Sequence, residues 1–182
     1  MSVPVHTRDF VRICLLAGVI AALGLLPKFV LPFTAGVPIT AQTLGVMLAG
    51  VVLGGRNGAL AVALFLFVVA LGLPFLAGGR GGLGVFFGPT GGFLIGWIAG
   101  AWVVGTLMQM RWIESRFARA LVASLLGGVV IIYAFGAPWL AFVAGMRIEA
   151  AALASLAFLP GDILKALAAA AVASALPPDQ TA

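Results

Sequence analysis

Charge is what this 182-residue chain has least of: 8% of its residues are Asp, Glu, Lys or Arg, against about 25% in an ordinary soluble domain. It holds one histidine, one cysteine and one tyrosine. The lone Cys14 excludes an intrachain disulfide and a cysteine metal cluster. No G-x-x-x-x-G-K-[ST] occurs, so the chain carries no P-loop and does not itself hydrolyse ATP by that route. The apolar runs are continuous rather than alternating, which excludes a transmembrane β-barrel. The Arg8 and Arg12 flank and the apolar stretch after it mimic a signal peptide. No A-x-A cleavage pattern follows, and further spans do, so the stretch is read as a retained first helix.

What is present is hydrophobicity. Of all residues, 63% are hydrophobic, and the mean hydropathy is +1.24. A fold this small exposes much of its surface and cannot hide so much apolar area in one core. The apolar surface therefore faces lipid, and runs of about 20 residues, enough to span a bilayer as a helix, recur along the chain. The expected class is an all-α integral membrane protein, a single polytopic domain over residues 1–182. The expected helices are 12–26, 40–53, 58–73, 91–110, 117–137 and 161–176, with a short helix at the membrane edge over 149–158. Six spans put both termini on one side. The net charge of +5 does not indicate nucleic acid, because the basic residues form no stripe. One side collects Arg8, Arg12, Arg56, Arg111, Arg116 and Arg119, the other Lys28, Arg80 and Arg147. The first side, with both termini, is expected to be cytoplasmic in a cell (plasma or inner) membrane. Helix 2 is short, about 21 Å, which leaves room for residues 29–39 to fold back as irregular backbone.

The loop "FLAGGRGGLGVFFGPTGG" (75–92) contains Gly79, Gly81 and Gly84 in a G-x-G-x-x-G pattern. A dinucleotide fingerprint needs a strand before it and a cytosolic βαβ unit; here a transmembrane helix precedes it. Gly92, Gly96 and Gly100 fall every fourth residue, on one face of helix 4, where small residues admit a neighbouring helix. Gly78 to Gly84 can also bend over a ligand as a lid and offer bare N–H groups. Span parity places Thr40, Gln42, Arg80, Gly88, Thr90, Asp162 and Lys165 at one end of the bundle. Asp162 and Lys165 are spaced i, i+3 and share a face. They read either as an internal ion pair or as part of a ligand site. Ala17 and Ala21 form A-x-x-x-A on helix 1, a smooth strip for helix contact within the protein or with a partner. His6 reads as solvated, Cys14 as packing.

In "VPITAQTLGVMLAGVVLGGRNGALAV" (37–62), "GLPFLAGGRGGLGVFFGPTGGFLIG" (72–96) and "FLPGDILKALAA" (158–169), the chain resembles the BioY family. These are the biotin-specific S components of energy-coupling-factor (ECF) transporters. The resemblance implies six helices of the S-component type and an outward-facing vitamin site under the loops between helices 1 and 2 and between helices 3 and 4. It implies no catalysis, no cofactor, and biotin as the transported ligand. The partners it implies are a transmembrane coupling protein, cytoplasmic ATPases and the surrounding membrane lipid, with the helix 1 strip as docking surface. Phe65 and Phe93 stand where tyrosine is common in that pattern; each keeps the ring and loses the hydroxyl. For biotin, Asp162 and Lys165 would meet the ureido group, with Arg80 or the glycine-loop N–H groups at the carboxylate, or the reverse. Thr40 and Gln42 would add hydrogen bonds. Phe75, Phe86, Phe87 and Phe93 would form the walls. Other classes open at this point are an S component for riboflavin or thiamin, a small membrane enzyme using Asp162 and Lys165, and a ligand-free scaffold.

Overall fold

Gly54 is where the second apolar run breaks. In the computed structural model, which describes residues 5–177 and side chains from Thr7 on, the helical segment α2 (Gln42–Ala70) has φ 78° and ψ 178° at Gly54. Only glycine adopts such angles readily. In an unbroken helix Ala49 and Gly58 would lie about 13.5 Å apart. Instead, a Cβ placed on Gly58 would sit 2.7 Å from the Ala49 carbonyl oxygen. The segment is therefore a tight helical hairpin with legs 42–53 and 55–70. The first leg is about 18 Å long, shorter still than expected. The reading of His6 lies outside the described side chains.

Small residues decide which helices touch. α1 (Val5–Leu23) starts before the expected residue 12 and stops before Pro27. It lays Ile20 against Gly45 on the first leg. α4 (Gly91–Gln109) fits between the hairpin and the fifth rod. Its Gly105 abuts the backbone of Gly54 and Gly55, and its Gly92, Gly96 and Gly100 meet Trp139, Ile132 and Gly127. The four-residue spacing is thus a packing seam, where any side chain would push two rods apart.

The fifth rod contains an irregularity that no composition rule announced. α5 (Arg116–Leu125) passes into a π-helical turn over Leu126–Ile131 before α6 (Ile132–Ala144). The buried positions Ala120, Ala123 and Ser124, then Gly127 and Gly128, would continue near residue 131 in an unbroken α-helix. They continue at Ile132, Gly136 and Leu140, one residue late, as a π turn requires. The rod also runs through Pro138, before which its end was expected, to Gly145. There a left-handed backbone, φ 62°, stops it. A proline inside a membrane helix is tolerated when neighbours re-satisfy the freed carbonyl.

At the opposite end from Gly54, the connections fold over the bundle. β1 (Phe29–Val30) and β2 (Pro38–Ile39) pair antiparallel, so the segment expected to be irregular is a small hairpin. Its turn is braced by Thr34, whose hydroxyl lies 2.8 and 2.9 Å from the carbonyl oxygens of Leu31 and Val37. α3 (Gly84–Phe87) is a single turn before α4. α7 (Ile148–Leu156) and α8 (Leu159–Ala175) meet at a 50° bend. Pro160, in the first turn of α8, suits a helix start because its missing N–H has no partner to lose there. By length and composition, α2, α4 and the α5–α6 rod can cross a membrane, as can the bent α7–α8 pair taken as one span. With α2 counted as two legs and α1 added, six rods form the bundle. Leu15, Phe67, Trp102, Phe142 and Leu164 are exposed on its outside, as an apolar solvent requires. The protein is an all-α, multi-pass membrane protein.

Candidate functional site

Four rods and two loops converge on one cavity at the end of the bundle away from Gly54. It encloses about 540 Å³ of unfilled space, part of it open to solvent. Thr40, Gln42, Arg80, Thr90, Phe93, Asp162 and Lys165 all line it. These come from sequence positions as far apart as 40 and 165, and span parity places all of them except Phe93, a wall candidate, at one end.

The polar floor is built around Asp162, which is 3% exposed. Lys165 Nζ donates to Asp162 Oδ1 at 2.8 Å, one helical turn away. It also donates to Thr43 Oγ1 at 2.9 Å. Thr43 Oγ1 in turn donates to Asp162 Oδ1 at 3.1 Å. Tyr133 Oη donates to Asp162 Oδ2 at 2.7 Å. Thus α2, α6 and α8 each send a side chain to one buried carboxylate. Asp162 also sits in the first turn of α8, where the helix dipole favours negative charge. Thr43 reaches it because consecutive helical residues point about 100° apart: Gln42 turns toward α1 while Thr43 turns toward α8. Tyr133 reaches it because of the π turn, which rotates α6 by one residue relative to α5.

Counting hydrogen-bonding capacity shows what this cluster still offers. A carboxylate has about four acceptor sites and an ammonium three donors. Asp162 uses three acceptor sites, leaving one on Oδ2. Lys165 uses two donors, leaving one. Tyr133 uses its donor and keeps acceptor capacity on its oxygen. Thr43 Oγ1 uses its donor and one of two lone pairs, so among the described residues the floor presents unmet acceptors on Asp162 Oδ2, Tyr133 Oη and Thr43 Oγ1 beside one unmet, charged donor.

The walls are aromatic. Phe93, Tyr133 and Phe158 stand edge to face, with ring centroids 5.9–6.5 Å apart. Trp97, one helical turn after Phe93, completes the wall and is stacked on Phe65 behind it at 6.4 Å. Of the four phenylalanines expected here, only Phe93 lines the cavity. Phe75 and Phe86 pack on the core cluster instead, and Phe87 is 74% exposed, because the short α3 turns that residue outward. Phe65 supports the wall and does not line it. Sequence reasoning missed Thr43, Trp97, Tyr133 and Phe158. Tyr133 did carry a signal: it is the chain's one tyrosine, placed in mid-span, where a hydroxyl needs a partner.

Arg80 closes the mouth from the loop between α2 and α4. It is partly buried, and that burial lowers its pKa from the ordinary arginine value. Among the described residues no carboxylate pairs with it. Its Nε donates to the Ala77 carbonyl at 3.4 Å, leaving the far edge of the guanidinium for something else. The glycines of this loop do not line the cavity. Gly78, Gly79 and Gly82 have φ of 80°, 70° and 84°, so they shape the turn that carries Arg80. Gly88, expected at the site, stands apart; its carbonyl accepts from Trp139 Nε1 at 2.9 Å, which pins the far end of the loop. Thr90 is buried and its hydroxyl donates to the Val85 carbonyl at 3.3 Å.

The helix 1 strip lies elsewhere. Ala17 and Ala21 line the floor of an apolar groove whose other walls are Leu64, Phe65, Val68 and Phe75. Ala17 is buried, Ala21 half-buried, and Gly18 and Ala22 beside them are exposed. Cys14, read as packing, is exposed.

The sequence pattern described as the BioY family matches residues 1–180. The chain is 51% identical over 175 residues to the biotin transporter BioY of Rhizobium etli, covering 93% of each. It is 48% identical over 176 residues to the biotin transporter BioY of Rhodobacter capsulatus, covering 91% of each. Among solved structures it is similar to a 2.1 Å crystal structure of the S-component for biotin from an ECF-type ABC transporter. That likeness has a TM-score of 0.87 and 32% identity, over 95% of this chain and 92% of the other.

Proposed function

This chain belongs to the BioY family, and on that premise we propose that it is the substrate-binding membrane component of a biotin uptake transporter. It captures biotin at the cavity described above and has no catalytic step and no cofactor of its own. The observation that carries this reading is the leftover capacity of the floor. The ureido ring of biotin presents two N–H donors and one carbonyl. Asp162 Oδ2 and Tyr133 Oη accept the two N–H groups, and the remaining Lys165 proton meets the carbonyl. Phe93, Trp97 and Phe158 enclose the apolar thiophane ring. The valerate chain then points to the mouth, where Arg80 receives its carboxylate. This favours the ureido group at the floor over the opposite orientation: the floor offers more acceptors than donors and so needs a donor-rich group, whereas a carboxylate brings only acceptors. Thr40 borders the same cavity and is assigned a further polar contact. Gly88 is assigned the loop end beside the site, and Thr90 the helix start behind it.

Binding alone moves nothing, so energy comes from partners. We assign these as a transmembrane coupling protein and paired cytoplasmic ATPases, docking on the helix 1 face that includes Ala17 and Ala21. The arginine-rich end, with both termini, faces the cytoplasm of the cell membrane, so the cavity faces outward.

Calorimetry of the detergent-purified chain tests the reading. Saturable binding of biotin without ATP or other subunits is expected, with desthiobiotin bound as well because it retains the ureido ring. Absence of binding by folded protein at high biotin concentration, or tighter binding of riboflavin or thiamin, overturns it.

A further inference from the structure

Gln42 lines the cavity, yet its side chain is already committed. It is 1% exposed. Its Nε2 donates to the carbonyls of Ile20 and Phe75 at 3.2 and 3.1 Å. Its Oε1 accepts from the Ala77 backbone N–H at 3.0 Å. Both donors are used, and one lone pair remains. The three partners belong to two separate segments. Ile20 carries one of the carbonyls left open where α1 ends, since Gly24 N bonds Ala21 rather than Ile20. Phe75 and Ala77 flank the base of the loop between α2 and α4.

What stands on that base is Arg80. Leu76, between the two residues Gln42 holds, exchanges both backbone bonds with Arg80, at 3.0 and 3.2 Å. Gly78 and Gly79 supply the left-handed angles this tight turn requires. Arg80 Nε bonds the Ala77 carbonyl, so the same residue that Gln42 grips also orients the guanidinium. The turn is fastened at its far end by Gly82 N donating to the Val69 carbonyl at 2.8 Å. An apolar residue at position 42 would leave two carbonyls and one N–H buried without partners. The turn would have to shift to satisfy them, and Arg80 would shift with it.

We propose that Gln42 is a positioning residue: it fixes Arg80 at the cavity mouth, and through Arg80 it sets the preference for a ligand that ends in a carboxylate. It does so without touching the ligand. The inference rests on the reading of Arg80 as the carboxylate's partner.

The test compares biotin with biotin methyl ester, which keeps the ureido and thiophane rings and loses the negative charge. The purified full chain, Arg80→Gln and Gln42→Met are titrated with both. The parent is expected to prefer the acid by about tenfold or more, a difference of about 1.4 kcal/mol or more. Arg80→Gln abolishes that preference, and Gln42→Met reduces it at least threefold while ester affinity stays within about twofold of the parent. A preference that survives in Arg80→Gln overturns the carboxylate reading and the inference with it. A preference abolished in Arg80→Gln but intact in Gln42→Met leaves Arg80 in its role and overturns the positioning role of Gln42. Equal loss of acid and ester affinity in Gln42→Met also overturns it, since a general fold defect or direct contact does that. Should Gln42→Met fail to fold, hydrogen exchange on the parent decides. The Ala77 amide is expected to exchange more slowly than that of Gly79, and biotin is expected to slow it further while the ester does not. Exchange at Ala77 as fast as at Gly79, or equal slowing by the ester, overturns the proposal.

Discussion

The two ends of the bundle handle charge in opposite ways. At the end near Gln109 and Leu176, arginines turn onto helix C-termini. Arg116 donates to the carbonyls of Leu176 and Pro177 at 2.7 and 3.2 Å, and Arg119 donates to the Met108 carbonyl at 3.3 Å. Helices end with open carbonyls and a negative dipole, so a cation there stabilises the fold. At the other end, Asp162 and Lys165 bond to side chains from other helices and keep capacity in reserve. The lesson is that a charge in a membrane protein is not diagnostic by its presence alone. A charge set on the open carbonyls of a helix C-terminus supports the fold. A buried charge ringed by side chains from three helices, with donors and acceptors left over, marks a site.

Changes at the floor break this contrast most severely. Removing one member of a buried, hydrogen-bonded charged pair costs about 2–5 kcal/mol of binding, partly because its mate is left unpaired. At 1.4 kcal/mol per tenfold, Asp162→Ala or Lys165→Ala weakens biotin binding roughly 30-fold or more. Asp162→Asn, which keeps an acceptor, loses less. Titration beside thermal melts checks this. If both alanine variants bind within about threefold of the parent, the pair is structural and the two ends are alike.

Tyr133→Phe is the sharper version, because it deletes a single hydroxyl. A hydrogen bond to a charged group contributes about 1.5–3 kcal/mol, and the phenol oxygen is also assigned a ureido N–H. Biotin affinity is expected to fall about tenfold or more, and the melting temperature to fall as well, because the bond to the buried Asp162 is lost with the hydroxyl. A lower melting temperature with unchanged biotin affinity would make Tyr133 a support for Asp162 and not a ligand contact.

The glycine seam provides a different signature. A Cβ on Gly100 would lie 2.7 Å from the Gly127 carbonyl oxygen and 2.9 Å from Ile132. Overpacking of this kind costs about 1–3 kcal/mol of stability. Gly100→Leu is therefore expected to lower the melting temperature while the folded fraction keeps near-parental biotin affinity. An affinity loss matching that of Tyr133→Phe would show that the seam and the site are not separable.

The smallest effect belongs to the arginine end. Arg116→Gln removes a cation from a helix C-terminus, about 0.3–1 kcal/mol of stability at low salt. A slightly lower melting temperature, with biotin affinity unchanged within about twofold, is the expected result. Weakened binding would mean that the two ends are coupled.

Much of the site could be read along the chain. Asp162 and Lys165 were visible because their contact is local: i, i+3 on one helix needs no tertiary knowledge. Thr40, Gln42, Arg80 and Thr90 were sorted to the same end by counting spans. Thr43 was not legible, since nothing but the neighbouring α8 distinguishes its direction from that of Gln42. Trp97 and Phe158 were hidden among many apolar residues in runs that lipid and core would both accept. Phe75 and Phe86 looked like better wall residues because they flank the glycine loop. The loop's left-handed turns send them elsewhere.

By itself the sequence determined that this protein lives in a membrane, how many rods it has, where most of them break, and which end carries the polar residues. Hydropathy, proline, glycine and basic residues act locally, through lipid solvation and backbone sterics, and so leave their mark in the order of residues. Only the tertiary structure decided which polar groups have capacity to spare. Gln42 and Asp162 both line the cavity, but the amide has both donors consumed by carbonyls and its oxygen held by an N–H, while the carboxylate keeps an acceptor beside a lysine that still has a donor to spare. That difference depends on where Ile20, Ala77 and Tyr133 arrive in space, and a one-residue π turn was enough to change the last of these. Hydrogen bonds are directional over about 3 Å, a precision that residue order alone does not carry.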